Sequence, residues 1–257
     1  MVSFKIYFIN LDRSQERRSF MESQLSKFDV NFERFTAVDG KSLDSRFIYK
    51  AKGQHKLIKH FPSLNFGEIG LIKSYFDLFE IISKQKEDYA IIFEDDVKIE
   101  HSFFDEIHDI LKSITTNDFV DISGKKGFSL IIENKGLRLF AVPPRGTTGQ
   151  ILGKHAATKL HTKLYKYEAP IDILLQEVNI HNVRIYNTAK TYVTHCDDLV
   201  GGTTIQNKKL IKFKKIIREV KRPFWQFSSL ITYKVLRVMN NYKYYKENLP
   251  HMNEADR

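Results

Sequence analysis

The chain is poor in cysteine: Cys196 is the only one in 257 residues, so no intramolecular disulfide framework can brace the fold, and a reducing compartment is expected. It also lacks long apolar runs, none reaching the ~18 residues that a membrane-spanning helix needs. The first residues, "MVSFKIYFINLDRSQERR", lack the pattern of a secretory signal. Lys5 interrupts a short apolar stretch, and Asp12 and Arg13 follow with no small-residue cleavage site. There is no internal repeat, low-complexity segment, zinc-finger spacing or RNA-recognition signature. The expectation is a cytoplasmic protein, either free or peripheral on the cytoplasmic face of the inner membrane.

Acids are scarce in one region only. Residues 203–250 carry twelve Lys/Arg against Glu219 and Glu247, while residues 1–202 sum to +1 of the chain's net +10. The body is neutral and the tail holds the excess, which sets a boundary near Gly201-Gly202. Two parts are expected: a domain over 1–202 and a basic, aromatic helical tail over 203–257. In the tail, Leu210, Phe213, Ile216, Ile217 and Val220 share one helical face, while Lys208, Lys209, Lys212, Lys215 and Arg218 lie elsewhere. Pro223 interrupts the pattern before Phe224, Trp225 and Phe227. An anionic membrane surface is the partner such a helix suits. Helices packed on the domain with a solvated basic face are the other reading, and both stay open.

What the chain does have is material for a core: 42 % apolar residues, with 20 Phe and 12 Tyr. "FKIYFIN" (4–10) reads as a strand, and "SQERRSFMESQLSKF" (14–28) as a helix with Ser14 at its N-cap. "NFERFTAVDG" (31–40) is a second strand closing on an Asp-Gly turn. Residues 41–63 are irregular and basic. In "FGEIGLIKSYFDLFEIISKQ" (66–85), Ile69, Ile72, Tyr75, Phe76, Phe79 and Ile82 fall on one helical face. Helices are expected at 102–114 and 153–167, with strands in "FVDIS" and "GFSLIIENKGLRLFAV" and another after "APIDILL". Early strand–helix alternation and later hairpin-like strands predict an α/β fold with a central mixed sheet.

"YAIIFEDDVKIE" (89–100) ends an apolar strand on Glu94, Asp95 and Asp96. Adjacent like charges repel, so such a cluster needs something to face. Ligands of open α/β sheets sit beyond the carboxyl ends of the strands, where Asn10, Asp12 and Arg13 also fall. A metal at the carboxylates and an anion at Arg13 together describe a nucleoside diphosphate bridged by a divalent cation. In an extended segment, Glu94 and Asp96 would face one way and share the ion, and Asp95 would point elsewhere, to the ribose or another sugar of the ligand. A solvated acidic turn is the alternative. Arg13 and Arg17 can converge on a phosphate or a base edge, or else form surface pairs with Glu16 and Glu22. Asp39 suits ribose hydroxyls, or shapes its turn.

The segments "IYFINLDRSQERRSFMESQL", "FERFTAVDG", "FGEIGLIKSYFDLFE", "YAIIFEDDVKIE", "GTTGQILGKHAATKL" and "PIDILL", taken in order, resemble glycosyltransferase family 25, the lipopolysaccharide and lipooligosaccharide sugar transferases. The resemblance covers roughly residues 5–200. It implies a GT-A-like fold, a UDP-sugar donor (galactose usually, glucose sometimes), a divalent metal such as Mn2+, inversion at the anomeric carbon, and a lipid-linked oligosaccharide acceptor. It also implies a later histidine on the metal, for which His195 in "YVTHCDDLVGG" is the candidate and Asp197 or Asp198 the substitutes. Asp172 in "APIDILL" matches a recurring acidic position, as the catalytic base or as a helix cap, with Glu68 as the second candidate base. Two positions depart from the pattern: Tyr75 follows Ser74 where histidine is frequent, and Gly149-Gln150 replaces an apolar or aromatic pair. Two rival readings are a basic nucleic-acid-binding or nuclease-like protein and a non-enzymatic membrane adaptor. The neutral body argues against the first, so no nucleic acid is expected, and the adaptor leaves the acidic triplet unexplained.

Overall fold

The computed structural model describes residues 2–28, 30–44, 64–127, 130–140, 142–165 and 169–196. The basic tail, the boundary before it and most of the 41–63 loop lie outside these residues, as do Asp197 and Asp198.

Eight strands form one mixed sheet: β1 (Phe4–Asn10), β2 (Phe32–Thr36), β3 (Tyr89–Glu94), β5 (Asp118–Asp121), β6 (Leu130–Asn134), β7 (Leu137–Phe140), β8 (Gly149–Gly153) and β9 (Arg184–Thr188), in the order β2-β1-β3-β8-β5-β9-β7-β6. β1 runs parallel to both β2 and β3, and β5 runs parallel to β9. β8 lies antiparallel between β3 and β5. A separate two-stranded sheet joins β4 (Val97–Ile99) to β10 (Val193–His195). This mixed α/β arrangement is the expected one and is consistent with a GT-A-like fold.

Helices cover both faces, so the central strands read as continuous apolar runs, since parallel strands covered on both sides have no polar face. On one face α1 (Gln15–Leu25) and α3 (Ser102–Lys112) pack Met21, Leu25, Phe103 and Ile107 against Ile6, Phe8, Ile91, Phe93 and Val120. On the other, α2 (Phe66–Lys84), α4 (Lys154–Leu164) and α5 (Ile171–Gln176) pack against Tyr7, Ile9, Ile92, Phe119, Leu152 and Ile185. A one-turn helix α6 (Val178–His181) leads into β9. Of the six apolar positions expected on the inner face of α2, five are buried and Phe76 is partly so.

One local expectation needs refinement. Ser14 occupies the N-cap position of α1, but its side chain makes no capping bond. Asn10 Nδ2 instead donates to the Ser14 carbonyl at 3.1 Å. Helix α2 carries the true capping box: Asn65 accepts from the Glu68 amide and Glu68 accepts from the Asn65 amide, each at 2.8 Å. The second glycine of "GEIG" has a steric role. A Cβ on Gly70 would lie 2.4 Å from the Val38 carbonyl oxygen and 2.7 Å from the Gly40 nitrogen, so only glycine lets α2 sit on the turn after β2.

Candidate active site

The chain leaves β1 toward β2 on one side and reaches β3 on the other, so the sheet has a topological switch point at the carboxyl ends of β1 and β3. Asn10 ends β1 and Glu94 ends β3, and Asp95 and Asp96 form the turn into β4. The expected extended geometry at the triplet is therefore replaced by a turn. Glu94 and Asp96 still come together, and β10 brings His195 opposite Val97 on β4. One ligand atom from each of Glu94, Asp96 and His195 lies within 4.8 Å of the others. The Cys196 amide donates to the Asp96 carbonyl at 2.9 Å, which fixes the strand beside the turn.

Asp95 turns inward instead of toward a ligand. It is 8 % exposed and accepts from Asn10 Nδ2 and Arg17 Nη1, each at 2.7 Å. Arg17 is 3 % exposed and also donates to Asp96 Oδ2 at 2.9 Å. Arg13 and Arg17 accordingly have different partners. Arg13 pairs with Asp39, whose other oxygen accepts from the Lys41 amide at 3.0 Å and caps the turn. Asp12 is exposed and pairs with Arg34, which also donates to Asn10 Oδ1 at 3.0 Å. The surface pair in α1 is Arg18–Glu22, at 2.8 Å. Guanidinium groups at the strand ends thus find carboxylates within reach, and the buried one is held by one oxygen each of Asp95 and Asp96 in the acidic turn.

Two threonines that the sequence did not single out hold the cluster from the other side. Thr147 donates to Glu94 Oε1, and Thr148 Oγ1 lies 3.0 Å from His195 Nε2. The Glu94 amide donates to the Thr148 carbonyl at 3.1 Å, which extends the β3–β8 pairing into the site. Their signal was the "GTTG" preceding β8, read only as part of a motif because β8 itself went unrecognised. Burial pushes the Glu94 carboxyl up to about 7, the Asp96 charge adds to this, and the Thr147 bond and His195 oppose it. His195 is raised, first by its hydrogen bond with Asp96, with burial opposing. Two carboxylates and an imidazole are a hard-to-borderline donor set, and a divalent cation would relieve the repulsion that burial enforces.

The candidate bases lie together on the α2–α5 side. Asp172 is in the first turn of α5, two positions past Pro170, so it is not the N-cap. Burial raises its carboxyl, while the Arg145 charge and the Ile173 amide oppose, and the Glu68 charge raises it further. Gln176 Nε2 donates to the Pro143 carbonyl at 2.6 Å, so α5 is tied to the segment that leads through Arg145 to Thr147 and the acidic cluster. Of the other histidines, His101 and His108 are exposed, and His55 and His60 lie outside the described residues.

The family model described as "Glycosyltransferase family 25 (LPS biosynthesis protein)" matches residues 3–142. A "Glycosyltransferase 25 family member" of Anopheles gambiae is 30 % identical over 107 residues, which is 38 % of this chain and 17 % of that protein. "Procollagen galactosyltransferase 1-A" of Xenopus laevis is 28 % identical over 116 residues, 44 % of this chain and 19 % of that one. The alignments thus span less than a fifth of these relatives. A solved structure described as "Crystal Structure of A197 from STIV" superposes with a TM-score of 0.36 at 11 % identity, covering 80 % of this chain and 100 % of that one. The matched span takes in β1, the acidic turn and more than half of the chain, and the protein belongs to glycosyltransferase family 25.

Proposed function

We propose that the protein is an inverting, metal-dependent transferase that moves a hexose, galactose or else glucose, from a UDP-sugar to a lipooligosaccharide or lipopolysaccharide core acceptor. The observation that carries this is the convergence of Glu94, Asp96 and His195 beyond the end of β3, in a chain of this family. Lipopolysaccharide biosynthesis in the family description supports the acceptor, and the galactosyltransferase names of relatives support the sugar.

Glu94, Asp96 and His195 would hold the ion, Mn2+ by expectation, with Thr147, Thr148 and Arg17 fixing their orientation. A divalent cation there supplies Lewis-acid neutralisation of charge on the departing diphosphate. Asn10 and Asp95 work behind this set as supports. Asp12, Arg13 and Asp39, at the carboxyl edge of β1 and β2, are the residues we assign to the nucleoside side. Asp172 takes the proton of the acceptor hydroxyl as its oxygen attacks the anomeric carbon on the face opposite the diphosphate. The bond from that carbon to the diphosphate oxygen breaks in the same displacement, and UDP leaves. A carboxylate raised by burial is the stronger base, which favours this role for Asp172. Glu68, held in its capping box, is the second choice.

The acceptor is lipid-linked in this reading, and the basic tail holds the enzyme on the cytoplasmic face of an anionic membrane. Among the described residues no helix is long and apolar enough to cross a membrane.

The test is UDP release by the purified protein with and without Mn2+, across UDP-galactose, UDP-glucose and N-acetylated donors. Metal-dependent release, greatest with UDP-galactose, is expected. No release from any donor in the presence of metal and acceptor overturns the proposal.

A further inference from the structure

Lys125 lies beside the cluster and is used by nothing described so far. Its Nζ donates to Thr148 Oγ1 at 3.3 Å, the same hydroxyl that meets His195 Nε2 at 3.0 Å, so one side chain separates the ammonium from the candidate ligand His195. Lys125 is half-buried and makes no ion pair among the described residues. The nearby acid, Asp121, is 4 % exposed and already accepts from the Ser123 amide at 2.8 Å. A partly desolvated ammonium that faces a neutral hydroxyl is poorly compensated unless an anion completes its shell.

The backbone keeps the lysine in this position. Gly146 has φ +119°, a conformation that L side chains rarely adopt, and a Cβ there would lie 2.0 Å from Lys125 Nζ. Gly124, at φ +67°, lies so close to Thr191 that a Cβ would fall 2.8 Å from the Thr191 Cα. The segment carrying Lys125 is therefore seated on the approach to β10 while its side chain lies across Gly146.

We propose that Lys125 binds the terminal phosphate of the nucleoside diphosphate, placing the leaving group between its ammonium and the ion held by Glu94, Asp96 and His195. This rests on the proposed function and adds to it a second positive pole supplied by the chain itself. A charge-assisted hydrogen bond developing on the leaving oxygen strengthens as the glycosidic bond breaks.

Calorimetric titration of the full chain with UDP and with UMP, both with Mn2+, tests it without turnover. Lys125→Met should weaken UDP binding by ~10-fold or more, as loss of a charged hydrogen bond does, and leave UMP binding nearly unchanged. Lys125→Arg should keep most of the affinity, and Lys126→Met, at the exposed neighbour, should bind as the parent does. If the methionine variant loses its melting transition, Lys125→Gln replaces it, since the amide can still reach Thr148. Equal UDP affinity in parent and folded variant overturns the assignment of Lys125 alone. Equal losses for UDP and UMP overturn its placement at the terminal phosphate. A parent protein that binds no UDP with metal removes the nucleotide-donor reading, and Lys125 falls with it.

Discussion

Gln150 Nε2 donates to the Tyr75 hydroxyl at 2.9 Å, and both side chains are fully buried. These are the two places where the sequence departs from the pattern of the family it resembles, and in space they are one contact. Both also reach the Thr147 carbonyl, Tyr75 at 3.2 Å and Gln150 at 2.8 Å, immediately behind the hydroxyl that holds Glu94. The pair should be energetically coupled. In a double-mutant cycle of Tyr75→Phe and Gln150→Met, followed by chemical denaturation, a coupling of ~0.5–3 kcal/mol is expected. Additive losses would mean the two positions are independent.

Arg17 should be structural before it is anything else. Its guanidinium neutralises Asp95 and Asp96 with side-chain exposures of 4 %, 12 % and 17 % for the three residues. Arg17→Met leaves buried carboxylates uncompensated, which costs ~3–5 kcal/mol. A denaturation midpoint close to that of the parent protein would show that the turn re-solvates.

Metal binding should depend on the ligands and, less strongly, on the threonine behind them. Thr147→Val is expected to reduce Mn2+ affinity by ~10–100-fold, the usual effect of losing an outer partner of a ligand. Asp96→Asn should reduce it further, and Glu94→Gln likewise. Electron paramagnetic resonance of free Mn2+ measures this directly, and unchanged affinity in Asp96→Asn would remove the ion from this site.

As the proposed base, Asp172 should link activity to pH in a defined direction. Its raised pKa moves the acid limb of the transfer-rate profile above that of an ordinary aspartate, because the base must be ionised. Arg145→Gln removes the charge that opposes the rise, so the limb should move further toward alkaline pH. Stability has the opposite sign. A carboxyl raised on folding favours the folded state below its unfolded pKa, and that contribution is lost as pH rises through the folded value. Asp172→Asn at pH 7 should therefore melt no lower than the parent while transfer falls by ~10²–10⁴-fold. An unshifted limb in Arg145→Gln, or normal transfer in Asp172→Asn, counts against the base.

The tail should act through membrane charge. With about 1 kcal/mol per Lys/Arg near an anionic surface, half of the twelve suffice to hold the enzyme there, and added salt should release it. Truncation after Gly202 should spare transfer to a short soluble acceptor and weaken transfer to a lipid-linked one. Full-length protein that ignores anionic liposomes, or binds them regardless of salt, would contradict this.

The strands and helices that were legible in sequence are those with long periodic or continuous apolar patterns, such as β1, β3 and α2. β8 was not legible. Its five residues, all buried, begin and end on Gly149 and Gly153 and run directly into α4, so the stretch before the helix expected at 153–167 was assigned to no strand. Because β8 went unseen, Thr147 and Thr148 had no strand end to belong to, and two residues bonded to the Glu94–His195 cluster were missed. β4 and β10 were also too short to register as a pair, although their pairing is what delivers His195.

The sequence by itself determined the α/β fold class, an acidic triplet at a strand end, a family-specific order of motifs and the basic composition of residues 203–250, since composition, periodicity and local order along the chain carry those properties. Only the tertiary structure decided the division of labour within the charged residues. Asp95 and Arg17 neutralise each other in the interior while Glu94 and Asp96 meet a histidine from a distant strand. Which charges pair and which stay available depends on distances through space and on local desolvation. Both are fixed by long-range strand pairing, and no short stretch of sequence contains them.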